Sequence, residues 1–173
     1  RCTNRFFAKH PHPALLDNNT QIESSCFAKK FVDNNAIMVN TTFLLKDGVL
    51  YARGGNTQDI FGFEHATLEP LIFFNQDGKK PVKFFLQPKH LFVLCENSKT
   101  NKNELYALRE NNHGQQGLGQ NKTKLTPQLV KFPNGCIPID VIVGWYTTFV
   151  FCHDGDIYGF GRNDLNQLQT PLN

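Results

Sequence analysis

Pro81-Val-Lys-Phe-Phe-Leu-Gln-Pro-Lys-His-Leu-Phe-Val-Leu-Cys95 lies without a gap over Pro138-Ile-Asp-Val-Ile-Val-Gly-Trp-Tyr-Thr-Thr-Phe-Val-Phe-Cys152, 57 residues further on. The proline, the apolar positions, a Phe-Val pair and the closing Cys coincide. A second element follows each stretch: Leu105-Tyr-Ala-Leu-Arg-Glu-Asn111 and Ile157-Tyr-Gly-Phe-Gly-Arg-Asn163 match each other and also Leu50-Tyr-Ala-Arg-Gly-Gly-Asn56. All three read apolar, Tyr, small, three variable residues, Asn. Thr41-Thr-Phe-Leu-Leu-Lys-Asp-Gly48 matches Thr147-Thr-Phe-Val-Phe-Cys-His-Asp-Gly155 with one residue inserted. Three repeat units are visible, and self-similarity of this kind decides the fold before any single residue does.

Inside each unit the pattern is short and β-like. An apolar run meets a turn, a second apolar run centred on Tyr follows, and a polar loop containing Gly closes the unit. Asp47-Gly48 and Asp154-Gly155 sit between such runs, and Asp-Gly suits a hairpin because Gly takes a positive φ without a Cβ clash. The middle unit replaces that turn with the polar insert Glu96-Asn-Ser-Lys-Thr-Asn-Lys-Asn103, an exposed loop tip. No long stretch repeats apolar residues at helical spacing, so the class is all-β. Units holding a few short strands each are the signature of β-propeller blades, which bury their faces only against neighbouring blades. The units run from about 36 to 80, 81 to 137 and 138 to 173, and each is expected to form a four-stranded antiparallel blade. Residues 1–35 are left as an N-terminal segment, either a linker or the remnant of a preceding blade.

Composition narrows the function classes. The 173 residues are 40% hydrophobic with sixteen Phe, too much apolar surface for a disordered tail. Apolar runs are only a few residues long, far short of the roughly 20 needed for a membrane helix. Eighteen Lys plus Arg stand against fifteen Asp plus Glu, a thin positive excess that argues against nucleic acid or chromatin as a partner. The five Cys are odd in number and lack a C-x-x-C pair, so neither a disulfide framework nor a zinc site is expected, and a reducing, intracellular setting, cytoplasmic or nuclear, follows. The chain opens on Arg1, without a signal-peptide pattern, and is expected to be a piece of a longer protein.

The loop Asn111-Asn-His-Gly-Gln-Gln-Gly-Leu-Gly119 resembles the N-x-x-G-Q-L-G-x-G signature of the regulator of chromosome condensation repeat. Asn163-Asp-Leu-Asn-Gln-Leu-Gln169 keeps the Asn and Gln-Leu, and Asn56-Thr-Gln-Asp-Ile-Phe-Gly62 keeps the Asn and the last Gly. Val141-Ile-Val-Gly-Trp-Tyr-Thr-Thr-Phe-Val150 is similar to the family's V-x-x-G-x-x-H-[ST] segment, with Thr147 at the His position. None of the three units is expected to carry that His. The resemblance implies a seven-bladed propeller, of which about three degenerate blades lie between Ala36 and Leu168, and a founding member that is an exchange factor for the small GTPase Ran.

Chemistry is weakly supported. Gly114, Gly117 and Gly119 lack the Lys-[ST] and the helix of a phosphate loop. His10, His12, His113 and His153 lack metal-ligand spacing, and Cys152-His153 are strand neighbours whose side chains diverge. No catalytic residue, cofactor or metal is expected. Tyr51, Tyr106 and Tyr158 are expected to pack between blades with their hydroxyls satisfied, and Asn56, Asn111 and Asn163 to form turns. Loops on a rigid scaffold point to a non-catalytic protein-interaction role, with a signalling or ubiquitin-ligase-type parent. The candidate partner-binding residues are Asn97, Lys99 and Lys102 in one loop and Asn112, His113, Gln115 and Gln116 in the other. The alternative is nucleotide exchange on a Ran-like small GTPase.

Overall fold

The computed structural model describes residues 23–32, 35–54, 65–87, 90–165 and 168. Three antiparallel sheets follow one another along the chain. The first has the order β1 (Glu23–Val32), β2 (Asn35–Lys46), β3 (Val49–Gly54), β4 (His65–Pro70). The second repeats it with β5 (Lys79–Gln87), β6 (His90–Asn97), β7 (Lys102–Arg109) and β8 (Lys124–Leu129). The third is β9 (Pro138–Val143), β10 (Thr147–Cys152) and β11 (Ile157–Gly161). Two short 3-10 turns, Ile72–Asn75 and Pro133–Gly135, sit in the connections between sheets. Among the described residues there is no α-helix, and the all-β partial propeller read from the repeats stands.

Internal pairings confirm the repeat. Thr41 faces Gly54, His90 faces Arg109 and Thr147 faces Gly161. These are the same register position in three sheets. The Asp47-Gly48 hairpin forms with positive φ at both residues, 52° and 75°, as a tight two-residue turn requires.

Strand alternation explains the core. On β6, Leu91, Val93 and Cys95 point to one side and join Phe43, Leu50, Ala52, Leu71 and Phe74 of the preceding unit. Phe92 and Leu94 point to the other side and, with Leu105 and Ala107, meet Val130, Val141 and Val150. Successive side chains on a strand face opposite ways, so the second sheet is apolar on both faces. The contact with the third sheet is fixed by polar ties: Gln87 Nε2 donates to the Val143 carbonyl at 2.9 Å, Asn103 Nδ2 to the Pro138 carbonyl at 3.0 Å, and Lys83 pairs with Asp140 at 3.4 Å.

Three expectations change. The boundary after residue 35 falls inside the first sheet, because Glu23–Val32 pairs along its whole length with Asn35–Leu44. Cys136 and Cys152 form a disulfide, with Cα atoms 5.5 Å apart. Odd number and wide spacing argued against any bridge, but the turn Pro133–Gly135 folds Cys136 back onto the end of β10. Finally, the motif His said to be missing stands at His90, the structural counterpart of Thr147.

The far face of the third sheet carries the counterparts of a covered face. Phe85, Phe92, Leu94 and Leu105 have as equivalents Ile142, Phe149, Phe151 and Ile157, and where Leu105 is fully buried Ile157 is 59% exposed. Ile142 is 47% exposed.

Candidate functional site

The two predicted loops lie at opposite ends of the second sheet, so they do not form one surface. The β6–β7 hairpin holds Asn97, Lys99 and Lys102. Asn97 works on its own turn, accepting from the Lys99 backbone N–H at 2.9 Å and donating to Glu104 Oε1 at 2.8 Å. Lys99 and Lys102 are exposed on this hairpin tip, and the Asp77-Gly78 turn before β5 lies against it, with the Ser98 N–H donating to the Gly78 carbonyl at 2.8 Å.

The other end is more organised. Asn111 is buried and nucleates the loop that follows β7: its Oδ1 accepts from the Gln116 N–H at 2.8 Å, and its Nδ2 donates to the Gln120 carbonyl. Asn163 repeats the device, accepting from the Leu168 N–H at 2.9 Å. Asn56 lies outside the described residues. Gln115 and Gln116 are fully buried and so do not face a partner. Gln115 Oε1 accepts from the His113 N–H, and its carbonyl takes the Thr148 hydroxyl at 2.8 Å, which fastens the loop to β10. Asn112 and His113 remain exposed.

This fastening brings His113 against Tyr146, with ring centroids 4.5 Å apart. Tyr146 belongs to the β9–β10 connection, and the Arg162 guanidinium, just after β11, lies 5.9 Å from its ring. Arg162 is held in place by Asp164 through Nε at 2.8 Å. Beside them Trp145 is 60% exposed. Three successive elements therefore place His113, Trp145, Tyr146 and Arg162 on one rim. The backbone approach is close: a Cβ on Gly161 would stand 2.1 Å from the Tyr146 carbonyl, and φ there is 112°, so only glycine fits. Trp145, Tyr146 and Arg162 were not singled out from sequence. The available signal was the chain's one Trp, which the sequence overlay sets opposite a Pro of the middle unit.

A cleft of about 350 Å³ opens beside this rim, lined by Gly114, Gly117, Lys131, Phe132, Tyr158 and Phe160 among others. Its lining has one charged group, Lys131, and no acid–base pair. The repeated tyrosines are structural in different degrees. Tyr106 is buried against Phe73 and Phe74 and donates to Glu104 at 2.7 Å. Burial, then this bond, push its phenol above the usual range. Tyr158 rests on Phe132 at 5.6 Å, and Tyr51 is half-buried.

Two further titratable groups, His90 and Cys95, are withdrawn from solvent. Burial lowers His90 to about 4 and raises the Cys95 thiol to about 12, with Glu104 adding to the latter. Neither ring nitrogen of His90 meets a hydrogen-bond partner among the described residues. His90 is thus a neutral core group. Among the described residues no three His, Cys, Asp or Glu converge as a metal site, and no helix is long and apolar enough to cross a membrane.

Residues 102–151 match the regulator of chromosome condensation (RCC1) repeat. That window runs from β7 to β10, so each sequence repeat begins in one sheet and ends in the next, which stitches neighbours together covalently. The chain is 26% identical over 140 residues to the guanine nucleotide exchange factor SRM1 of Saccharomyces cerevisiae, covering 75% of this chain and 27% of SRM1. It is 38% identical over 66 residues to the human probable E3 ubiquitin-protein ligase HERC4, covering 38% of this chain and 6% of that one. The crystal structure of Prp20p from S. cerevisiae, described with its binding to Gsp1p and histones, superposes with a TM-score of 0.54 at 20% identity over 78% of this chain and 32% of Prp20p. The chain thus spans less than a third of each of these proteins.

Proposed function

We propose that this run of RCC1 repeats is a non-catalytic protein-interaction module of a larger signalling or ubiquitin-ligase-type protein, and that its rim of His113, Trp145, Tyr146 and Arg162 is the contact surface. The carrying observation is that three elements converge on Tyr146, flanked by His113 and Arg162, next to the exposed Trp145. Trp, Tyr and Arg dominate binding energy where they are centrally placed and rigidly supported, because they bury large area with little entropy loss. The strands supply that rigidity.

The test is a photo-crosslinking amino acid at position 145, with one at exposed Ile72 as the control, followed by affinity measurement on the captured protein. The expected result is a partner captured from position 145 only, whose binding weakens at least about tenfold in Trp145→Ala. A partner that binds Trp145→Ala as tightly as the unaltered chain contradicts this assignment.

A second reading, exchange on a small GTPase, is favoured by the likeness to SRM1. Exchange requires a surface that binds the nucleotide-free GTPase more tightly than the loaded form. Adding the chain to a Ran-like GTPase loaded with fluorescent nucleotide separates the two. Release accelerated by orders of magnitude supports exchange, and an unchanged rate supports the scaffold.

A further inference from the structure

The turns that lead into β5 and β9 share one geometry. Asp77-Gly78 has φ of 57° and 78°, and Asn134-Gly135 has φ of 56° and 71°. The residue after each turn donates its N–H three residues back, Lys79 to the Gln76 carbonyl at 3.1 Å and Cys136 to the Pro133 carbonyl at 3.3 Å. Two residues further on, Pro81 faces Cys95 and Pro138 faces Cys152, and both ladders shift register beside that pair. Cys136 is therefore the counterpart of Lys79, as Cys152 is of Cys95.

The two sheets differ in what joins these positions. In the third, Cys136 and Cys152 are covalently bonded. In the second, Cys95 is a free thiol. Lys79 stands beside it, with its ammonium 3.5 Å from Asp77 and 4.9 Å from the centre of the Phe73 ring, and its charge opposes the rise that burial and Glu104 give the Cys95 thiol. The same turn thus forms against the same strand without a bridge. In the third sheet backbone and side-chain bonds already set that geometry: the His153 N–H donates to the Ile137 carbonyl at 2.9 Å, the Cys152 N–H to the Asp156 carbonyl at 2.9 Å, and Asn103 Nδ2 to the Pro138 carbonyl at 3.0 Å. A bridge that the scaffold does not need in order to fold is free to open.

The two sulfurs are unequally placed. Cys152 is 2% exposed, whereas Cys136 is half-buried and follows Pro133, Asn134 and Gly135, which are all exposed. Exchange with an incoming thiolate depends on which sulfur it can reach.

We propose that Cys136–Cys152 is a reversible thiol switch opened by a small thiol of the glutathione class, with Cys136 the sulfur attacked. The incoming thiolate bonds to Cys136 Sγ and the Cys136–Cys152 bond breaks, its electron pair leaving on Cys152 Sγ, which takes a proton from solvent. A second thiolate attacks the other sulfur of the mixed disulfide and releases Cys136 as a thiolate, which is protonated in turn. The bridge gains two electrons and two protons, and two small thiols become one small disulfide. Opening releases the Pro133–Gly135 turn from its covalent tie and leaves it held as Asp77-Gly78 is held. Phe132, which rests on Tyr158 and lines the cleft beside the rim, immediately precedes that turn, so the state of the bridge sets how firmly this wall is fixed.

The test uses the whole 173-residue chain in varied ratios of reduced to oxidised glutathione, with the cysteines alkylated and identified by peptide mass. The expected result is a bridge that opens in the folded chain and re-forms when the ratio is reversed, with far-UV circular dichroism unchanged and hydrogen exchange raised at the Cys136 amide but not in β7. In Cys152→Ser, Cys136 should take up glutathione from its disulfide at least about tenfold faster than Cys152 does in Cys136→Ser. Cys95, buried and with its thiol pushed up to about 12 by burial and then Glu104, should stay unmodified. Equal rates at Cys136 and Cys152 overturn the assigned point of attack. A bridge that resists reduction until the chain unfolds, or a fold that is lost on reduction, overturns the switch.

Discussion

The second and third sheets carry the same side chains at the same register positions and live in different surroundings. Phe92, Leu94 and Leu105 are sealed against β9 and β10, while Phe149, Phe151 and Ile157 face away from every described sheet. Burial in this architecture is conferred sideways, by the neighbouring sheet. Apolar stabilisation scales with area removed from water, so residues that look alike in an alignment differ in what they contribute. The pair of sheets is a natural experiment in which pattern is held constant and coverage varies.

The largest expected consequence is in matched truncations. Phe92→Ala should cost about 3–5 kcal/mol in urea unfolding, the range for a sealed aromatic, whereas Phe149→Ala should cost less than half as much. Equal losses would mean that coverage does not set the contribution. Next comes the disulfide, which the third sheet has and the second lacks, since Cys95, the counterpart of Cys152, is a buried free thiol. Reduction, or Cys136→Ser, should lower stability by about 2–4 kcal/mol for a closed loop of this length, with hydrogen exchange rising first in β10 and little in β6.

Acid should then discriminate His90 from Thr147. Burial holds His90 at about 4 instead of 6.5, so the folded form refuses a proton that the unfolded chain accepts. Stability from this group is full above pH 6.5 and falls as pH drops towards 4, by about 3 kcal/mol in total. His90→Leu should flatten that part of the pH–stability curve, and an unchanged curve would show that His90 is accessible to protons. A smaller effect is expected at the loop hinges: Asn111→Ala should cost about 1–2 kcal/mol by freeing the carbonyl of Gln120 and the N–H of Gln116, the range for a lost buried hydrogen bond or cap. Trp145→Ala should change stability by less than about 0.5 kcal/mol, as expected for an exposed side chain, while weakening partner binding.

Much of the fold was legible because repeats force regularity. The Pro81 and Pro138 stretches became β5–β6 and β9–β10, and the Tyr-centred segments became β3, β7 and β11. Asp47-Gly48 is the hairpin its residues demand. What failed to show depends on distance in the chain. Glu23–Val32 has no counterpart motif, and its place in the first sheet comes from pairing with β2. The Cys136–Cys152 bridge needed the fold-back of Pro133–Gly135. The position of His90 is legible in the gapless overlay of the two stretches, which aligns it with Thr147. The site was less legible than the fold. The loop marks His113, but its contact with Tyr146 rests on the buried Thr148–Gln115 bond between two repeats, and the polarity of Gln115 and Gln116 carries no sign that both are buried. Asn111 shows the opposite case, a polar residue whose turn-forming use was readable from its fixed spacing after Tyr106.

Native-state hydrogen exchange on the whole chain, resolved for His90–Asn97 of β6 and Thr147–Cys152 of β10, tests most directly whether neighbouring sheets hold one another up. The account predicts that amides of β6, sealed on both faces, exchange only through global unfolding, while those of β10 exchange through a smaller opening at lower free energy. Equal protection in both strands, or greater protection in β10, would contradict it.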